Sequence, residues 1–215
     1  MIYSNNCKAP FIFLLMTFLL VSFAGYPANR KPGQEYYEIK VYHFKNAGQE
    51  KALDDYLGKA LVPALHKKGI STTGVFKPIA NDTAVDKIIY VFIPLKSYDA
   101  LIALRSNLDK DADYNTAATA YLNAVYNNPP YTRMESIWLK TFPMAPQMEL
   151  PNLTSPHSEH IYELRSYESP TEKFHVNKVH MFNEGGEVPL FKRLGFNAVF
   201  YADVITGSHM HKRRH

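Results

Sequence analysis

The sequence predicts an α+β fold built from two related units, of which the second is incomplete. The first observation is a repeat: a Tyr-Glu motif begins at Tyr37 and again at Tyr162, and Val62-Pro63 returns as Val188-Pro189. The motifs come in the same order, and their two offsets differ by one residue. The second observation is that strand patterns and helix patterns alternate along the chain. Ordered motifs at a nearly constant offset indicate a duplicated structural unit.

The first unit begins with a strand and a long helix. Residues 35–44 alternate apolar and polar side chains, which is typical of a strand. Over residues 49–68, leucines, alanines and a tyrosine recur at spacings of three and four, which predicts a helix with one buried face. Pro63 lies inside this helix and predicts a kink, because proline lacks the N–H of a helical hydrogen bond. Gly69 is placed to end the helix.

The remainder of the first unit predicts two strands, a helical region and a fourth strand. A strand is expected near residues 72–78, and the apolar run 87–93 predicts a central strand. Ser97 is a candidate N-cap for the helices that follow, and residues 133–142 predict the last strand. The order strand, helix, strand, strand, helix, strand is the ferredoxin-like (βαββαβ) arrangement, an antiparallel sheet with helices on one face.

The second unit starts in the same way and then stops. A strand is predicted at 160–167, a helix at 171–194 interrupted at Gly185-Gly186, and a strand at 196–205. Counterparts of the third strand, the second helix and the fourth strand do not follow. The predicted organisation is therefore a signal peptide (1–25), a polar linker (26–35), a first unit (36–142), a proline-rich linker (143–159) and a truncated second unit (160–215).

The N-terminus has the pattern of a secretory signal peptide. Lys8 is followed by an uncharged apolar run of 14 residues at 11–24, and then by small residues. As a helix this run reaches about 21 Å, short of the roughly 30 Å hydrocarbon core of a membrane. We expect cleavage near Ala24 or Ala28, export to the periplasm or the extracellular space, and no membrane attachment afterwards. Cys7, the only cysteine, would leave with the signal.

Composition excludes several classes of function. The net charge of +4 comes from four basic residues near the chain ends, which leaves 20 basic against 20 acidic residues in the body. A neutral body offers no basic face for nucleic acid. The sequence contains no glycine-rich phosphate loop, no serine nucleophile signature and no recognised metal-ligand spacing. We therefore expect no cofactor and no metal site.

Parts of the second unit resemble a known family. Residues 162–167, the Asn183-Glu184-Gly185-Gly186-Glu187 stretch and residues 191–200 are similar to the second domain of the NIPSNAP family, particularly its exported bacterial members. The resemblance covers roughly residues 35–210 and implies a dimeric α+β barrel architecture, in which ferredoxin-like units pair through their sheets. Family members continue into further strands, whereas this chain ends in the basic segment 211–215. We expect a frameshift, a misplaced stop or a gene fragment there.

Four histidines are candidates for acid–base or metal chemistry: His43, His66, His175 and His180. His175 and His180 are five residues apart, so on a helix they point about 140° from each other and cannot share an ion. His66 is the weak catalytic candidate, since it flanks the apolar stripe of its helix and could face a cavity between sheets. Lys192 replaces it in the second copy, which argues against a role common to both units.

Three aromatic residues are weak ligand-binding candidates. Tyr90, Phe92 and Trp138 are expected to line the region between paired sheets, where core packing is the simpler interpretation. The histidine-rich end 209–215 could bind Ni, Cu or Zn weakly, but an artefact of the chain end is favoured.

These observations favour a binding protein over an enzyme. The leading hypothesis is an exported NIPSNAP-like protein that binds a small apolar or aromatic ligand, or a protein partner, between paired sheets. A homodimer formed through the exposed sheet is a further expectation. The alternatives are a monooxygenase-like enzyme acting on a small aromatic or haem-like substrate and a non-functional gene fragment.

Overall fold

The computed structural model describes residues 33–156 and 159–207. The predicted signal peptide with both cleavage positions, residues 26–32 of the polar linker and the histidine-rich end lie outside the described residues. No helix within the described ranges is long and apolar enough to cross a membrane.

Five strands form one antiparallel sheet, so the predicted α+β class is confirmed. The strands are β1 (Tyr36–Phe44), β2 (Gly74–Phe76), β3 (Lys87–Leu95), β4 (Arg133–Thr141) and β5 (Ala202–Thr206). Their order across the sheet is β2-β3-β1-β4-β5. β1 therefore lies at the centre, with β3 on one side and β4 on the other, and both pairings extend over most of its length.

The helices follow the predicted order in the first unit. They are α1 (Ala47–Tyr56), a π-helical turn (Leu57–Leu61), α2 (Val62–Lys67), α3 (Tyr98–Asp109), α4 (Ala112–Ala117) and α5 (Thr119–Leu122). In the second half come α6 (Glu172–Asn183) and α7 (Glu187–Arg193). Asn46 caps α1 by accepting a bond from Gln49 N at 2.9 Å, and Ser97 caps α3 as predicted, accepting from Ala100 N at 3.1 Å.

The long first helix accommodates Pro63 through its π-helical turn. The Val62 N–H bonds to the carbonyl of Leu57, five residues earlier, where an α-helix would reach back four. This shift places Pro63 in the first turn of α2. Residues in the first turn donate no hydrogen bond within the helix, so the absent N–H of proline costs no bond there.

The second Val-Pro motif also lies in the first turn of its helix. Pro189 is the third residue of α7, which begins directly after the predicted interruption at Gly185-Gly186. Both helices end at a glycine in the left-handed conformation, Gly69 with φ of 80° and Gly195 with φ of 77°. The repeated sequence motif is therefore a repeated helical element.

The two faces of the sheet carry separate clusters of buried side chains. The helix-side cluster packs α1 to α4 against alternate residues of the strands, including Tyr42, Phe44, Ile89 and Val91. The opposite face is formed by the intervening residues: Tyr37, Ile39, Val41, Phe92, Ile137 and Leu139. Because strand residues alternate, no side chain of the helix-side cluster can reach the opposite face.

Segments from the second half partly cover the opposite face. The ring of Phe200 lies 5.1 Å from that of Phe92 and 5.3 Å from that of Tyr37, and the ring of Tyr162 lies 5.3 Å from that of Phe76. Met148 packs against the same cluster. These irregular segments occupy the position where the sequence predicts a second sheet.

The second unit differs from the prediction in its strands. Residues 160–167 are irregular and, from Ile161 onward, exposed. The predicted strand at 196–205 is a strand only at β5, which pairs with β4. The physical reason is that β1, the first-copy counterpart of 160–167, obtains its hydrogen bonds from β3 and β4. Within the described ranges the second copy has no counterparts of those two strands, so its backbone has no ladder to join. A tandem pair of complete units is therefore not confirmed.

Candidate functional site

A cluster of charged residues lies on the opposite face, where β1 ends. The two ring nitrogens of His43 contact two different carboxylates: Nδ1 lies 2.8 Å from Asp86 Oδ2, and Nε2 lies 2.8 Å from Glu135 Oε1. Arg133 Nη2 is 2.6 Å from the same Glu135 oxygen and 3.0 Å from His43 Nε2. We call these four residues the His43 cluster.

Strand register brings the His43 cluster together. In the antiparallel β1–β4 pair, His43 is opposite Arg133 and Val41 is opposite Glu135, so three members share one face. Asp86 comes just before β3, whose second residue, Ile88, is opposite His43 on the other side. The backbone of His43 is held as well, since its carbonyl accepts bonds from Thr132 N at 2.7 Å and Thr132 Oγ1 at 3.0 Å.

Burial differs sharply among the members of the cluster. His43 is 7% exposed, and the Glu135 side chain is 11% exposed, whereas the side chains of Asp86 and Arg133 are 64% and 60% exposed. Burying a carboxylate is costly unless charged or hydrogen-bonding partners compensate it. The Glu135 carboxylate has such partners in His43 and Arg133.

The contacts of His43 suit two protonation states. A neutral ring that donates from Nδ1 to Asp86 can accept a bond from Arg133 at Nε2, but this nitrogen then faces the Glu135 oxygen at 2.8 Å with no proton between them. A doubly protonated ring donates to both carboxylates. In either state both nitrogens are engaged within the cluster, so the arrangement orders the end of the sheet and leaves no ring nitrogen directed at a bound molecule.

An aromatic row lies beside the His43 cluster. Across the sheet, Phe76 of β2 is opposite Tyr90 of β3, Tyr90 is opposite Val41 of β1, and Val41 is opposite Glu135 of β4. We call these four residues the Tyr90 row. The rings of Phe76 and Tyr90 are half-buried, and Phe76 lies over Gly74, where a Cβ would come within 2.4 Å of its ring.

The phenol of Tyr90 is the polar group nearest the middle of this row. Burial raises its pKa, and the negative charge of Glu135 raises it further. Tyr90 therefore stays neutral and can donate a hydrogen bond. An apolar surface with a few convergent polar groups is the usual composition of a small-molecule site.

Trp138 does not belong to this site. It packs on the helix-side cluster, its indole Nε1 donates to Ser136 Oγ at 2.8 Å, and its ring lies 5.8 Å from that of Tyr98. The expectation that it lines one region with Tyr90 and Phe92 is wrong, because residue 138 alternates with Ile137 and Leu139 on β4. Phe92 is buried on the opposite face of the sheet, two residues after Tyr90 along β3. It is paired with Gly74 of β2.

The other histidine candidates lie elsewhere. His66 is exposed on α2, on the helix side of the sheet, so the sheet separates it from Tyr90 and Phe92. His175 Nε2 lies 2.9 Å from Asp203 Oδ1, and His180 is exposed on the same helix. Among residues 33–156 and 159–207, no three metal-ligating side chains come together.

A groove lies on the helix side of the sheet. It has a volume of about 420 Å³ and lies between α1 and the α4–α5 region. Its floor is the stacked pair Tyr56 and Tyr121, whose rings are 3.6 Å apart. Asp55 on its rim is paired with both Lys51 and Lys59, which leaves the rim with one net positive charge. The groove contains none of the residues that the sequence singled out.

Sequence reasoning missed five members of the site: Val41, Phe76, Asp86, Arg133 and Glu135. A signal for two of them was present, since Arg133 and Glu135 alternate with apolar residues along a predicted strand. Their proximity to His43 depends on the β1–β4 register, which the sequence does not specify.

Comparisons with known proteins add no relative. No family profile, no curated protein and no solved structure matches this chain.

Proposed function

We propose that this protein is an exported binding protein that holds a small aromatic or apolar molecule on the opposite face of the sheet. The observation that carries the proposal is the Tyr90 row, in which half-buried rings at one end lead to a compensated carboxylate at the other. The rings supply stacking surface, and the Tyr90 hydroxyl supplies a hydrogen-bond donor. The chemistry that fits is a planar, largely apolar molecule with one acceptor group.

Tyr162 forms the rim of the proposed site. Its ring contacts Phe76 edge-on at a centroid distance of 5.3 Å, and it belongs to an irregular segment outside the sheet. A ligand stacked on Phe76 and Tyr90 would take over this contact. Displacing one exposed ring costs little compared with opening a packed core.

The arrangement favours binding over catalysis. A general acid or base must direct a ring nitrogen or carboxyl oxygen at the reacting group. His43 has both nitrogens engaged by its own cluster, and His66 is on the other side of the sheet. A monooxygenase-like enzyme is the second candidate, favoured only by the proximity of His43, Glu135 and Tyr90, and it would need Asp86 to release the ring.

The proposal includes export and a NIPSNAP-like tandem architecture. The residues from β1 to β4 form a ferredoxin-like unit, and the second half is an incomplete copy of it. Support comes from the matched helical elements, since α2 and α7 both contain Val-Pro in the first turn and are followed by a left-handed glycine. N-terminal sequencing of the protein recovered from secreting cells tests the export step, with a new terminus expected just after Ala24 or Ala28.

Ligand titration tests the binding function. We expect haem and 2-naphthol, as planar apolar probes, to raise the melting temperature of the chain from Gly25 onward. Tyr90→Ala should weaken binding about tenfold, because it removes both the stacking surface and the donor. Tyr90→Phe separates the two effects.

Tyr126→Ala is the matched control, since Tyr126 is 95% exposed in the loop between α5 and β4 and should not affect binding. Absence of a melting shift with both probes, or equal binding by Tyr90→Ala and the unaltered chain, would rule out this site. Turnover of either probe that disappears in His43→Ala would favour the enzyme.

A further inference from the structure

We propose that two copies of this chain associate by antiparallel pairing of residues 162–167, in the register that places Glu163 of each copy opposite Arg165 of the other. Leu164 then lies on the two-fold axis. We call residues 162–167 the pairing segment. This inference gives the predicted homodimer a location other than the partly covered sheet face. Its test needs no ligand, although Tyr162 of the pairing segment also forms the rim of the proposed binding site.

The pairing segment is the second copy of the central strand β1. In β1, Lys40 Nζ lies 3.0 Å from Glu38 Oε1, and in the pairing segment Arg165 Nη2 lies 2.8 Å from Glu163 Oε2. Side chains two residues apart meet in this way when they point to the same side of an extended backbone. The ion pair of β1 is thus repeated in the pairing segment.

The pairing segment also has a helix on the corresponding side. The ring of Tyr167 lies 5.4 Å from that of Phe182 on α6, and Lys178 Nζ of the same helix lies 5.1 Å from the Tyr167 ring. Tyr42, the counterpart of Tyr167, packs on the helix side of β1. One face of the segment is therefore occupied in the same manner as in the first copy.

The difference is that no strand between residues 33 and 156 or between 159 and 207 lies beside the pairing segment. β1 is hydrogen-bonded on both edges, whereas backbone hydrogen bonds are absent for residues 161–167 in the part of the chain that the structure describes. Leu164 is 53% exposed and Ile161 is 76% exposed. An extended segment with unpaired backbone groups and exposed apolar side chains commonly binds a strand of another chain.

The sequence of the segment is complementary to itself. With Leu164 opposite Leu164, Glu163 is opposite Arg165 twice, and Tyr162 is opposite Ser166. A two-fold axis requires that each contact occurs in both directions, and this register satisfies it. Opposite charges facing each other across strands stabilise the pair.

The neighbouring registers are disfavoured by the same charges. A shift by two residues in one direction places Glu163 opposite Glu163, and in the other direction it places Arg165 opposite Arg165. A shift by one residue turns the apolar side of one copy against the charged side of the other. A second copy supplies both charges in the required order, so we expect the pairing segment to bind another copy of itself.

Charge reversal gives a test with a specific pattern. The protein is studied as the full exported chain by sedimentation velocity over a concentration series, with an expected dissociation constant on the order of micromolar for so small an interface. Glu163→Arg and Arg165→Glu, each alone, place two like-charged pairs in the dimer and should weaken it about tenfold.

Two combinations should restore association. The double variant Glu163→Arg/Arg165→Glu has an unchanged net charge and regains both opposite-charge pairs. An equimolar mixture of the two single variants should form heterodimers, because one chain then carries two arginines and the other two glutamates. Native mass spectrometry distinguishes heterodimers from homodimers when one variant carries a mass tag.

Leu164→Pro tests the backbone contribution, because proline cannot donate the N–H that pairing needs. The segment is exposed and outside the helices, so circular dichroism should be unchanged while the dimer is lost. A chain that stays monomeric at every concentration overturns the proposal. So does a dimer that tolerates both single reversals, or a mixture that forms no heterodimer.

Discussion

Replacing His43 by alanine should cost about 2–4 kcal/mol of unfolding free energy. His43 contacts Glu135 at 2.8 Å, and the Glu135 side chain is only 11% exposed. Loss of this hydrogen bond to a buried charge should therefore lower the unfolding free energy by about 1.5–3 kcal/mol. The bond to Asp86 adds at most about 1 kcal/mol, because the Asp86 side chain is 64% exposed and screened by water. Arg133 still compensates Glu135 at 2.6 Å, which keeps the cost below that of an isolated buried charge.

Urea titration followed by tryptophan fluorescence measures this free energy. Trp138 is the only tryptophan and lies on β4, three residues after Glu135. In thermal unfolding the same loss corresponds to a decrease of about 5–12 °C in melting temperature for a domain of this size.

Two control variants separate burial from residue type. His66→Ala removes an exposed histidine and should change stability by no more than about 0.5 kcal/mol. Asp86→Asn should cost less than about 1 kcal/mol, because its side chain is mostly exposed. The His43 cluster does not stabilise the sheet as proposed if His43→Ala lowers the unfolding free energy no more than His66→Ala does. The same conclusion follows if Asp86→Asn lowers it as much as His43→Ala.

Three further predictions concern the first unit. Tyr56→Phe should cost about 1 kcal/mol in urea titrations, because Tyr114 loses a buried hydroxyl partner at 2.9 Å; a double-mutant cycle giving no coupling would contradict this. Gly58→Ala should raise the melting temperature, whereas Gly69→Ala should cost about 1 kcal/mol of stability because the φ of Gly69 is 80°. A Cβ at either position would have no neighbour within 4 Å, so the two variants differ only in backbone conformation. If both variants change stability in the same direction, the backbone explanation is wrong. The pKa of Asp55 is lowered from 3.8 to about 2 by lysine hydrogen bonds, so its stabilisation is present above pH 3.8 and is lost as pH falls through about 2. Asp55→Asn should flatten the acid side of the stability profile, and an unchanged profile would refute the assignment.

Local sequence patterns predicted much of the first unit. The alternation at 35–44 and the apolar run at 87–93 correspond to β1 and β3, and Ser97 caps α3 as expected. These signals succeed because hydrophobic period and capping chemistry act within one element. The repeated Val-Pro motif corresponds to a repeated helical element, whereas the π-helical turn before Pro63 was not predicted.

The prediction of a strand at 160–167 was wrong for a non-local reason. Its sequence repeats that of β1, so local preference is the same in both copies. A strand also needs partners, and β1 has β3 and β4 while residues 160–167 have none in the described part of the chain. The assignment of Trp138 to the wrong face shows the same limit on a smaller scale, since its position depends on how β4 is aligned with β1.

By itself the sequence determined the α+β class, the repeated helical element and the identity of the apolar stripe on the first helix, because each depends on periodicity along the chain. Only the tertiary structure decided that His43 meets Asp86, Arg133 and Glu135, and that Tyr90 shares a row with Phe76. These contacts join residues up to 92 positions apart, and their geometry is set by strand order and register. Register is a property of paired strands, so no single segment contains it.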